Sequence, residues 1–103
     1  MKKIYLFCSA GMSTSMLATR MQEAADEQKI PVKVEAIGFT DMEDTLQTDC
    51  PDVIMLGPQI KYMYDEIVEK FSSYGKPIKM IESIDYGMMN GEAVLEKALQ
   101  LLS

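Results

Sequence analysis

The sequence predicts an α/β fold, a single domain over residues 1–103 built on an open four-stranded parallel sheet with helices on both faces. Strand-like and helix-like segments alternate from one end of the chain to the other. Two strand-like segments, residues 4–7 and 52–56, are nearly unbroken apolar runs, as central strands covered on both faces must be. The other two, residues 32–37 and 77–82, interleave charges with apolar residues and belong at the edges. Right-handed crossovers then give the strand order 2-1-3-4.

Taken in order, the first strand leads through a small, hydroxyl-rich loop into a helix expected over residues 14–29. Leu17, Met21, Ala24 and Ala25 or Gln28 share one face of that helix, and Arg20, Glu23 and Glu27 the other. Pro31 ends it. Thr40-Asp41-Met42-Glu43 reads as a capping box opening a short helix near 41–48. Gly57-Pro58 closes the third strand. The next helix, about 59–73, buries Ile60, Met63 or Tyr64, Ile67 and Phe71, and Gly75 and Pro77 mark its exit. Asn90 caps a last helix whose Val94, Leu95, Ala98, Leu99 and Leu102 face inward.

Composition narrows the function. Hydrophobic residues make up 48% and charged residues 25%, a globular balance, and no run is long enough to span a bilayer. With no signal-peptide pattern at the start either, the expectation is a soluble, cytoplasmic protein without direct membrane insertion. The net charge of −6 argues against a nucleic-acid partner. The two cysteines have no CxxC or zinc spacing, and no histidine is present, so neither a metal site nor a cofactor is expected. The missing histidine also excludes Ser-His and Cys-His pairs, and a phosphohistidine, within this chain. The acidic run Asp41, Glu43, Asp44, Asp49 and Asp52 reads as a solvated face.

The chemistry concentrates at Cys8. It ends the first strand and is followed by Ser9, Ala10, Gly11, Met12, Ser13, Thr14 and Ser15, which carry four hydroxyls. Amides of such a loop and of the first helical turn form an anion cradle, and the positive end of the helix dipole favours negative charge there. Gly11 permits close backbone approach, and Ser13 is the expected helix cap. In this order of strands the topological switch falls between the first and third, so ligands should bind beyond their carboxyl ends. That places Cys8 at one lip of a crevice and Gly57-Pro58-Gln59 at the other. Gln59 is a candidate for hydrogen-bonding phosphate or a partner, and Tyr62 a candidate for a docking face. Met12 and Met16 flank the nucleophile with soft side chains suited to more than one partner. Cys50 has no cradle, and Asp85 reads as a turn residue rather than a general acid.

A phosphate nest around a cysteine also serves phosphatases, which usually close it with an arginine. In low-molecular-weight tyrosine phosphatases that arginine lies six positions after the cysteine; here Thr14 occupies the place, and no basic residue occurs between Cys8 and Arg20. Without a guanidinium fork, hydrolysis is poorly supported and a phosphocysteine can persist. The residues therefore favour a carrier over a hydrolase.

Residues 4–15, Ile-Tyr-Leu-Phe-Cys-Ser-Ala-Gly-Met-Ser-Thr-Ser, closely resemble the phosphocysteine loop of the IIB components in the lactose, cellobiose and chitobiose branch of the bacterial sugar phosphotransferase system. Residues 56–63, Leu-Gly-Pro-Gln-Ile-Lys-Tyr-Met, are similar to that family's second signature, and Asp85-Tyr86-Gly87 to a weaker third. The resemblance covers essentially the whole chain. It implies that Cys8 takes a phosphoryl group from a histidine of a IIA partner and delivers it to a sugar bound by the membrane component IIC. It also implies a four-stranded parallel sheet, and a closer likeness to cellobiose or chitobiose members than to lactose ones, whose IIB is often fused to IIC. The alternatives are a phosphatase or arsenate-reductase-like hydrolase using the same cysteine loop, and a non-catalytic module that only binds an anion.

Overall fold

The computed structural model describes residues 1–8 and 11–102, with residues 11–13 described only as part of a helix. Four parallel strands, β1 (Lys2–Cys8), β2 (Val32–Gly38), β3 (Val53–Leu56) and β4 (Ile78–Met80), form one sheet in the order β2-β1-β3-β4. The order inferred from burial is the order observed. Ile4 to Cys8 and all four residues of β3 are buried, whereas β2 and β4 keep partly exposed positions at the edges.

Strand alternation divides the core into two layers. Ile4, Leu6, Val53 and Met55 face α1 (Gly11–Glu27) and α5 (Gly91–Leu102), where they meet Leu17, Met21, Ala25, Val94, Leu95 and Ala98. Tyr5, Phe7, Ile54 and Leu56 face the other way, onto Met42 and Leu46 of α2 (Met42–Thr48) and Ile67 and Phe71 of α3 (Tyr64–Phe71). The Gln22 side chain ties α1 to the edge strand β2, donating to the Val32 carbonyl at 3.0 Å and accepting from the Val34 amide at 2.8 Å.

Several boundaries depart from those read in the sequence. Helix α1 starts at Gly11 rather than residue 14, because the serines and threonine taken for loop are accommodated in its first turns. Ser13 therefore lies within the helix range, and its side chain, with the capping role expected of it, lies outside the described residues. The helix ends at Glu27, where Lys29 takes a left-handed φ of 56° and the Ile30 amide returns to the Ala25 carbonyl at 2.8 Å. No capping box forms at Thr40–Glu43: Phe39–Asp41 is a 3-10 turn, and Asp41 makes no side-chain cap. The single helix expected over 59–73 is three pieces, with 3-10 turns at Pro58–Met63 and Ser72–Tyr74 on either side of α3 and a kink at Ile60. The Asn90 cap is as expected, its Oδ1 accepting from the Ala93 amide at 3.1 Å. One short helix, α4 (Ser83–Gly87), forms where the sequence shows no helical periodicity.

The acidic run is not a uniform solvated face. Asp49 accepts from the Lys3 ammonium and from the Tyr5 hydroxyl, and these two contacts hold its carboxyl below the usual range. Burial, reinforced by Asp49, pushes the Tyr5 hydroxyl well above its ordinary value. Asp52 accepts from the Lys3 amide at 2.8 Å, and Glu43 pairs with Lys70 at 3.0 Å.

Candidate active site at the carboxyl end of the sheet

Cys8 is the last residue of β1 and α1 begins three positions later, so strand end and helix start share one corner of the sheet. The orphan amides of a helical first turn point out of such a corner, and the dipole gives it partial positive charge. The starting position at Gly11 assigns the amides of Gly11, Met12 and Ser13 to that turn. Ser9 and Ala10, and the side chains of Gly11, Met12 and Ser13, lie outside the described residues.

Cys8 is 1% exposed and Thr14 is completely buried. The Thr14 hydroxyl donates to the Cys8 sulfur, with Oγ1 2.6 Å from Sγ. Thr14 thus stands, six residues after the cysteine, as a neutral hydroxyl on the sulfur where a phosphatase would place its arginine. Ser15, by contrast, is exposed, and its carbonyl accepts from the Thr19 hydroxyl at 3.0 Å.

The second lip lies at the carboxyl end of β3, beside Cys8. The Gly57 amide bonds to the Phe7 carbonyl at 2.8 Å, carrying the chain after β3 alongside the end of β1. A Cβ on Gly57 would lie 2.9 Å from the Cys8 Cβ and 2.7 Å from the Gln59 Oε1, so only glycine lets the two lips approach this closely. Gly57→Ala is expected to cost about 1–3 kcal/mol of stability, the usual range for overpacking. Urea unfolding reads this directly, and an unchanged midpoint would mean that the lips are not packed together.

Gln59 is exposed, and its Nε2 donates to the Tyr86 hydroxyl at 2.6 Å. Tyr86 is in turn 3.2 Å from Thr14 Oγ1. The structure therefore joins Cys8, Thr14, Tyr86 and Gln59, drawn from β1, α1, α4 and the turn after β3. Tyr62 is not among them; it is 78% exposed on the same turn as Gln59. Met16, on α1, is 51% exposed, and Met12 lies with the undescribed side chains.

Tyr86 is the residue that sequence reasoning missed. It falls in the third, weak signature, but nothing in the local pattern points it to Thr14, so far away along the chain. Its neighbour Asp85 is not a bare turn aspartate. It is buried, and Lys97 of α5 bonds it at 2.7 Å and Glu82 at 2.8 Å. These bonds, Asp85 foremost, hold the Lys97 ammonium charged above its ordinary range. They clamp α4 to α5 and so fix the backbone that carries Tyr86. Cys50 is half-buried, and that burial pushes its thiol up. Among the described residues no cluster of histidine, cysteine or carboxylate side chains could hold a metal ion.

The model of the lactose/cellobiose-specific IIB subunit of the PTS system matches residues 3–97. The galactose-specific EIIB component of Lactococcus lactis subsp. cremoris is 40% identical over 99% of this chain and 97% of its own length. The cellobiose-specific EIIB component of Lactococcus lactis subsp. lactis is 39% identical with the same coverage. Among solved structures, the cellobiose-specific phosphotransferase IIB component of Borrelia burgdorferi superposes with a TM-score of 0.79 at 39% identity, over 98% of this chain and 91% of that one. With signatures, sheet order and whole-length similarity in agreement, the chain belongs to the lactose/cellobiose-specific IIB family of the sugar phosphotransferase system.

Proposed function

We propose that this IIB component is a phosphocysteine carrier. Cys8 accepts a phosphoryl group from the phosphohistidine of a IIA protein and passes it to a sugar held by the membrane component IIC. The observation that carries the reading is Cys8 itself: a cysteine at the foot of a helix, with the Thr14 hydroxyl on its sulfur and no cationic side chain in the intervening sequence.

In the first step the Cys8 thiolate attacks phosphorus in line. A P–S bond forms, the P–N bond breaks, and the histidine nitrogen keeps the electron pair. Amides from about Ala10 to Ser15 receive the phosphoryl oxygens, with the hydroxyls of Ser9, Ser13 and Ser15 as further donors and that of Thr14 on the sulfur. In the second step a sugar hydroxyl attacks, the S–P bond breaks and the thiolate leaves, with IIC supplying the base for the hydroxyl proton. Because stabilisation comes from neutral donors, the hydrolytic transition state gains less than it would from a guanidinium, and the adduct waits for its acceptor. Gln59, Tyr62 and the exposed Met16 sit on elements that leave the carboxyl edge of the sheet around Cys8, where both partners must dock. The carrier works at the cytoplasmic face, between its IIA donor and IIC; no described helix is long and apolar enough to cross a membrane. The two Lactococcus relatives are named for different sugars, galactose and cellobiose. We take a β-linked disaccharide such as cellobiose or chitobiose as the cargo, with its selection left to IIC.

The test is intact-protein mass spectrometry after incubation with phosphoenolpyruvate and the upstream carriers, IIA included. One added phosphate, localised to Cys8 and persisting when the donors are removed, is expected. Cys8-dependent release of inorganic phosphate without an adduct would instead establish a hydrolase.

A further inference from the structure

We propose that Tyr86 and Gln59 are positioning residues for the Cys8 sulfur, forming with Thr14 a directed hydrogen-bond relay that stabilises negative charge on it. The inference deepens the reading of Cys8 as phosphoryl acceptor and rests on it for its purpose, though not for its test.

Direction follows from counting hydrogens. A Cys8 sulfur that bears negative charge can only accept, so the single hydroxyl hydrogen of Thr14 goes to it. Thr14 must therefore accept in its 3.2 Å contact with Tyr86, so the tyrosine hydroxyl is the donor there. Tyr86 can accept while donating, and the Gln59 amide, which has hydrogens to give, approaches its oxygen at 2.6 Å. Each bond thus points the same way: Gln59 to Tyr86, Tyr86 to Thr14, Thr14 to sulfur.

Head-to-tail chains polarise one another, so the two outer members make the Thr14 hydroxyl a better donor than it would be alone. The effect is largest when the terminal acceptor carries charge, because such hydrogen bonds are about twice as strong as neutral ones. The relay therefore holds the sulfur in one orientation and aims a strengthened donor at negative charge on it. Its inner end is dry: Thr14 is fully buried and Cys8 nearly so. Its outer end reaches the surface through Gln59. The ion pair between Asp85 and Lys97 fixes the helix that carries the middle member.

The relay is tested by the rate at which iodoacetamide alkylates Cys8 in a Cys50→Ala background, from neutral to alkaline pH. Thr14→Val should slow the reaction at neutral pH about tenfold, the worth of one charge-assisted hydrogen bond. Thr14→Ser should restore it. Tyr86→Phe should slow it about threefold, as a lost polarising neighbour would, and Gln59→Leu by less; neither should slow it further once Thr14 is valine. All deficits should close at alkaline pH, where ionisation no longer needs the hydrogen bond. Gln59 is exposed, so its leucine variant reports on the relay even where a buried change disturbs folding. Wild-type rates in Tyr86→Phe, equal slowing by Tyr86→Phe with and without Thr14, or an unreactive parent sulfur would each overturn the relay. Loss of phosphate acceptance with the alkylation pattern intact would sink the carrier reading and leave the relay standing.

Discussion

Cys8→Ser is expected to fold like the parent and to accept no phosphoryl group. The substitution changes one atom at a site whose neighbours are a hydroxyl, the turn at Gly57 and the start of a helix. Serine can still take the Thr14 hydrogen bond, and the lips packed against the Cβ are undisturbed. What changes is the nucleophile. A thiol ionises within reach of neutral pH, whereas an alkoxide needs a general base, and this chain has no histidine to act as one. Thermal unfolding should move by no more than a few degrees, the equivalent of under about 1 kcal/mol for a domain of this size. Intact mass after incubation with phosphoenolpyruvate and the upstream carriers should show no adduct. A phosphorylated serine variant would move the acceptor to another residue, and Cys8 would then be only part of the cradle.

How much of this could be read from the sequence depends on which interactions set each feature. Strands β1 and β3 announced themselves because burial on both faces demands unbroken apolar runs, and the charges of β2 and β4 placed them at the edges. The switch point that follows from this strand order is enough to bring Gln59 to the lip opposite Cys8. Helix boundaries were harder. The hydroxyl-rich stretch after Cys8 looks like loop by local propensity, yet helix packing on the sheet draws it into α1, which buries Thr14 as well as Leu17. Helix α4 is five residues long, too short for any periodicity to show, and what holds it is the Lys97 contact to Asp85 from a different element. Tyr86 stayed hidden for the same reason. Its partner Thr14 is 72 residues away, and no spacing rule spans that distance.

Gly91→Ala is expected to be the most damaging single-methyl change available away from the site. Gly91 opens α5 and is buried where that helix crosses α1. A Cβ there would lie 2.6 Å from the carbonyl carbon of Arg20 and 2.7 Å from both the Arg20 Cβ and the Met21 amide nitrogen. Two of those atoms are backbone, so no side-chain rotation relieves the contact, and the helices have to part. Parting them opens the layer in which Leu17, Met21, Val94, Leu95 and Ala98 interlock beneath the sheet. Alanine recovers up to about 1 kcal/mol through its better helix propensity. Against this stands overpacking, which costs about 1–3 kcal/mol and more where the backbone must shift. The backbone contacts place this site at the upper end, for a net loss of about 2 kcal/mol. In a domain of this length that lowers the unfolding temperature by roughly 10 °C. Gly87→Ala is the matched control, since a Cβ there meets nothing within 4 Å. It should be neutral or slightly stabilising in the same denaturation series. Equal unfolding temperatures for the two variants would show that α1 and α5 do not cross at the distance that keeps the sheet's Cys8 face covered.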